Sequence, residues 1–147
     1  MPEKETLRRA RKDKREGKAP STQAGEFVRE EIEHVREGKH GARSTEQAIA
    51  IGLSKARRAG VNLPAPKSSS ARKSAKSALR RRGKKVSAKR SRAVRAELKQ
   101  EGHSSASRTA LAKHARKVAR SRSASSRSAS AKKAARTRAR TSARKRA

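Results

Sequence analysis

The residues best able to do chemistry in this chain are its cations. Of 147 residues, 44 are Lys or Arg and 12 are Asp or Glu, giving a formal charge of +32. They are unevenly placed. From Lys67 to Ala147 there are 29 basic residues and two acids, Glu97 and Glu101. The first 66 residues hold 15 basic and 10 acidic residues. Like charges at the density of the second half repel one another and oppose compaction. A polyanion removes that conflict, because Lys and Arg displace the counterions condensed on a nucleic acid. The densest group is Arg80, Arg81, Arg82, Lys84 and Lys85, followed by Lys89, Arg90, Arg92 and Arg95. A second group is Lys113, Arg116, Lys117, Arg120 and Arg122; the last is Lys132, Lys133, Arg136, Arg138, Arg140, Arg144, Lys145 and Arg146. These are the expected nucleic-acid-binding residues. Arg forks onto phosphates and Lys acts as a point charge. Neither reads base sequence unless a rigid element places it, so largely sequence-independent binding is expected.

Other chemistry is poorly supplied. With no cysteine, disulfides, thiol catalysis and Cys-ligated zinc are excluded. His34, His40, His103 and His114 are scattered. His34 and His40 could share a surface, but no Asp/Glu–His ligand motif is evident, so surface histidines and no metal are expected. No nucleophilic serine motif comes with a plausible pocket. Glycine-rich phosphate loops are absent. The reading is of a non-enzyme without a cofactor. The chain has one Phe and no Tyr or Trp. Recognition of single strands usually stacks bases on aromatic rings, so double-stranded DNA fits this tail better. An Arg-rich segment that folds on structured RNA is the rival.

The elements that must position these groups are helical. Few large apolar side chains are available to offset ordering the backbone, which costs about 1–2 kcal/mol per residue. The fold expected is mostly α and partly disordered: a small helical hairpin, then a long basic low-complexity arm with conditional helices. Residues 1–20 read as a charged N-terminal arm in which pairs such as Glu5–Arg9 support a short helix. Residues 21–63 read as the hairpin. Its first helix has Ser21 or Thr22 as cap, an apolar face of Phe27, Val28, Ile32 and Val35, and Glu26, Glu30, Glu31, Glu33 and Glu37 over much of the rest, an acidic face that could sit against the basic tail in the absence of DNA. Gly38 is a plausible stop. Ser44 and Gln47 have capping-box spacing, and Ile49, Leu53 and Ala56 make the second stripe. Gly52 leaves room for close approach to the first helix, and Gly60 suits the position after the helix end. Residues 64–86 read as linker and basic block, 87–120 as a conditional helical pair, and 121–147 as a disordered basic tail. No apolar run approaches the ~18–20 residues of a membrane span. The N-terminus lacks the apolar core of a secretory signal, so a cytoplasmic location is expected.

Residues 38–60, from Gly38 through Ser44, Gln47 and Gly52 to Gly60, resemble a core found in small basic bacterial proteins labelled DNA-binding. The tail is similar in composition to the Ala/Lys/Arg/Ser-rich arms of bacterial histone-like proteins and of linker histones. The resemblances favour bacterial nucleoid association over a eukaryotic nuclear role, without assigning a mechanism; the charge of the arm is what points to histone-like compaction or bridging of DNA. Two other functions fit the same residues: an RNA- or ribosome-associated assembly protein, and an interaction adaptor working through the helical head. The head could self-associate or hold a protein partner. A helix-turn-helix is disfavoured by a loop of about six residues, where three or four is usual.

Overall fold

The structure is a computed structural model that describes residues 2–65, 69–80 and 87–146. Arg81, Arg82, Lys84 and Lys85 therefore lie outside the described residues. Among those described there are seven α-helices, one 3-10 turn and no strand. They fall into two compact units, residues 1–111 and 112–147.

The first unit is built on three helices: α1 (Lys4–Arg15), α2 (Pro20–Arg36) and α3 (Thr45–Arg58). The expected hairpin is α2 with α3, and α1 packs along α2 as a third helix. The N-terminal stretch is thus no free arm over this length. Ala10 is buried with Phe27, Ala24, Ala56 and Val61, and Leu7 packs against them. A core with one aromatic ring is small, and α1 adds apolar cover that two helices lack.

All three helices stop in the same way. Gly17, Gly38 and Gly60 adopt positive φ of 68°, 73° and 95°. The next residue's N–H then bonds back across the turn: Lys18 to Asp13, Lys39 to His34 and Val61 to Ala56. These are Schellman motifs, which favour glycine because a Cβ is strained at positive φ. The starts differ more from expectation. Helix α2 begins at Pro20, with Ala19 as an N-cap that makes no side-chain bond. Proline's fixed φ and missing N–H suit the first helical position, so neither Ser21 nor Thr22 caps it. Ser44 does cap α3, accepting from Gln47 N–H at 3.1 Å. The Gln47 amide oxygen accepts from Arg43 N–H at 2.7 Å rather than from Ser44.

The buried stripe of α3 is Thr45, Ala48, Gly52 and Ala56, rotated from the expected Ile49 and Leu53, which are half-buried. Small side chains let the helices approach closely. A Cβ on Gly52 would lie 2.7 Å from Val28 Cα and 3.0 Å from the Phe27 carbonyl oxygen.

A second core joins Ile32, Val35, Ala42 and Ala48 to Ala106 of the 3-10 turn (Ser104–Ala106), with Val28 and Leu111 alongside. Polar bonds fix this docking. Thr45 Oγ1 donates to the Ser105 carbonyl at 2.6 Å and Arg36 Nε to the Ala106 carbonyl at 2.8 Å. The Gly41 and Ala42 amides donate to the Leu98 and Gly102 carbonyls. A Cβ at Gly41 would overlap the Glu101 carbonyl. Residues far beyond the expected head thus complete its core.

Three more helices follow α3 before the chain's last one: α4 (Ser69–Arg80), α5 (Ala88–Gln100) and α6 (Arg108–Ser121). Where a linker was expected, α4 forms from Ser, Ala, Lys and Arg, several of them good helix formers, and it lies against α3. No residue of α5 or α6 is buried. Ser107 caps α6, accepting from Ala110 N–H at 3.2 Å.

The boundary between the units falls within α6. In the second unit, α7 (Ala124–Arg146) is helical where coil was expected. Ala, Arg and Lys have high helix propensity and no Gly or Pro interrupts them. Ser123 caps the start through Ser126 N–H at 3.2 Å. Thr137 and Thr141 bond back to the carbonyls four residues earlier.

Candidate nucleic-acid interface and a buried polar cluster

The acids of this protein are spent inside its first unit. At least nine of the ten acids up to Pro66 lie in ion pairs with Lys, Arg or His. Beyond them, Glu101 meets Arg43 at 3.3 Å. The sequence holds no Asp or Glu after Glu101. The cations of α6 and α7 therefore have no side-chain carboxylate on their own helices.

The expected binding residues are displayed accordingly. Arg80, Lys89, Arg90, Arg92 and Arg95 are exposed on α4 and α5. Lys113, Arg116, Lys117 and Arg120 are exposed on α6, with Arg122 just after it. Lys132, Lys133, Arg136, Arg138 and Arg140 are exposed on α7, whose last turn carries Arg144, Lys145 and Arg146.

Sequence reasoning missed a second basic surface. Lys4, Arg8, Arg11, Lys14 and Arg15 are exposed and line one groove along α1 with Leu7. Lys4, Arg8, Arg11 and Arg15 are spaced four, three and four apart, which is one helix face. The signal was present in the sequence, but mixed charges hid it. The acids of α1 face elsewhere: Glu5 pairs with Arg9 at 3.0 Å, and Asp13 with Lys18 at 2.7 Å.

Glu30 and Glu31 belong to the acidic face expected to be available to the basic tail. Both are buried, at 3% and 1% exposure. They sit on the side of α2 between α1 and α3, where Lys55 reaches them. Its Nζ lies 3.1 Å from Glu30 Oε1 and 2.6 Å from Glu31 Oε2. Burial alone raises the pKa of Glu30. Bonds from Thr6, the Glu3 amide and Lys55 outweigh it and hold the group below its ordinary value. Glu3 is itself lowered, first by its hydrogen bond with His34 and then by Lys39. Glu30 and Glu31 are thus held inside the head and are not free to shield the basic tail.

The same packing brings together His34 and His40, the two histidines that could share a surface. His34 and His40 stand edge to face with ring centroids 6.1 Å apart. His40 Nε2 lies 3.2 Å from Glu31 Oε1. His34 Nε2 lies 2.9 Å from Glu3 Oε1. The sequence placed no carboxylate beside them, because Glu31 read as a surface acid.

Residues 6–68 match a family of unknown function, DUF6496. The match covers 63 of 147 residues, from within α1 to just beyond α3. No curated protein and no solved structure matches the chain. Among the described residues no helix is long and apolar enough to cross a membrane.

Proposed function

We propose that this protein is a non-enzymatic, largely sequence-independent binder of double-stranded DNA, acting by nucleoid compaction or bridging in the bacterial cytoplasm. The observation that carries the reading is the segregation of charge. The head neutralises its own acids, while α5, α6 and α7 display cations with Glu97 and Glu101 as the last acids of the chain. Phosphates supply the missing anions, and counterion release supplies the free energy. Two separate basic surfaces, the arm and the outer face of α1, suit a protein that touches more than one DNA segment.

The test is a salt titration of the full chain on two unrelated DNA duplexes and one structured RNA. A variant with Lys132, Lys133, Arg136, Arg138, Arg140, Arg144, Lys145 and Arg146 changed to Gln runs alongside. If roughly ten phosphates are engaged, log K falls against log salt with a slope near −9, and each lost contact removes about 0.9 from it. The two duplexes should bind alike, and the variant should bind more weakly with a shallower slope. Unchanged affinity in the variant removes α7 from the mechanism. Preference for the RNA at equal salt moves the protein to RNA- or ribosome-associated assembly.

A further inference from the structure

The cluster of Glu31, His34 and His40 has a feature that charge pairing alone does not explain. One ligand atom from each lies within 4.8 Å of the other two. Glu31 and His34 are three residues apart on α2, which places them on one helix face. His40 is brought back to that face by the turn at Gly38. The Nδ1 atom of His40 lies 3.0 Å from the Gly41 carbonyl oxygen. A carbonyl only accepts, so Nδ1 carries a proton and donates it. In the neutral ring, Nε2 then presents a lone pair. That lone pair faces Glu31 Oε1 at 3.2 Å. Two lone pairs do not attract one another, so a cation belongs between them, either a second ring proton or a metal ion.

We propose that Glu31, His34 and His40 bind one divalent transition-metal ion of the zinc class. An imidazole anchored through its other nitrogen to a backbone carbonyl is the usual orientation of a metal-binding histidine. Bonds of about 2.0–2.1 Å in a tetrahedral site hold neighbouring ligand atoms about 3.3 Å apart. The His40–Glu31 edge already has that length, and the edges to His34 are within 4.8 Å. His34 and His40 are 14% and 17% exposed, which leaves an entry path to the buried Glu31. Two imidazoles and one carboxylate suit zinc, cobalt or nickel better than magnesium or calcium, which prefer all-oxygen sets. Three carboxylates, Glu3, Glu30 and Glu31, stand against two ammonium groups, Lys39 and Lys55, so the cluster tolerates added positive charge. Glu3 Oε1, 2.9 Å from His34 Nε2, is placed to act as fourth ligand or as outer partner. The ion would tie the start of α1, the end of α2 and the following loop together. A head with so small a core gains from such a staple.

The experiment uses the full chain, stripped with a chelator and titrated without DNA by Zn²⁺ and by Co²⁺. One equivalent of Co²⁺ should give the intense visible bands of tetrahedral coordination. Zn²⁺ at a hundredfold excess over its dissociation constant should raise the melting temperature by roughly 10 °C. Both responses should vanish in a His34→Ala/His40→Ala variant and survive in His103→Ala. Far-UV circular dichroism of the metal-free variants checks that they fold. In the unmodified chain, binding should weaken on acidification, because protons compete with the metal for the ligand atoms. Equal Co²⁺ bands in the double variant would overturn the site. So would an unmoved melting temperature with Zn²⁺ in excess. Neither outcome depends on whether the chain binds DNA.

Discussion

Lys55 is the side chain on which the head's electrostatics turn. It serves two buried carboxylates at once. Removing it as Lys55→Ala leaves Glu30 and Glu31 in low dielectric without their shared partner. Loss of one member of a buried pair costs about 3–5 kcal/mol, and urea denaturation of the full chain should report a loss of that order. A second change, Glu31→Gln, should recover part of it. Gly52 is the other sensitive position. In an open helix, Gly→Ala would gain about 1 kcal/mol from propensity. Here the added methyl meets the backbone of α2 at 2.7 Å, and backbone cannot step aside cheaply. Overpacking wins, and Gly52→Ala should destabilise by about 1–3 kcal/mol. A rise in stability would show that α3 can back away.

At the scale of elements, the 3-10 turn and the polar face of α2 behave as parts of the head. Ala106 and Leu111 close the cluster of Ile32, Val35, Ala42 and Ala48. A fragment of residues 1–65 should therefore melt well below one of residues 1–111, and equal midpoints would mean that the docking contributes nothing. Protonation gives a second handle on α2. The pKa of Glu30 is lowered on folding, so its ionised form contributes stability above the ordinary value near 4.5. That contribution disappears as pH falls through the lower folded value. Glu30→Gln should be less stable than the unmodified chain near neutral pH, and the gap should close on acidification below about pH 4.5. For α7, no described residue is buried, so its helix rests on propensity and local caps against strong charge repulsion. Its circular-dichroism helicity should rise when sulfate or duplex DNA screens that charge, and a flat response would show that repulsion is already compensated.

Over the whole molecule, charge sets partner class while packing sets which cations take part. Charge reversal of the α1 face, as Arg8→Glu with Arg11→Glu, should weaken duplex binding and flatten its salt dependence by about 2 units of slope for two contacts. Those residues are exposed and outside the core, so the melting temperature should hold. Unchanged binding would confine the interface to the arm. The helical content, the α2–α3 pair, the Ser44 cap and the stops at Gly38 and Gly60 were legible in the sequence, because each depends on residues within one or two turns. Helix α1's packing was not, since its apolar content is only Leu7 and Ala10 and its value lies in what it covers.

What the sequence determined by itself is the charge asymmetry, the helical class and the glycine stops at helix C-termini. Composition and local stereochemistry are sufficient for those. What only the tertiary structure decided is the fate of individual polar side chains. Glu30 and Glu31 read as surface acids until α1, Lys55 and His40 enclose them. His40 and His34 read as scattered until the turn at Gly38 folds the loop back. Ala106 and Gly41 read as loop residues until the second core and the Glu101 carbonyl meet them. Local rules give the periodicity of a helix, but burial and ligand geometry come from contacts between residues far apart in the chain, for which one-dimensional spacing carries no signal.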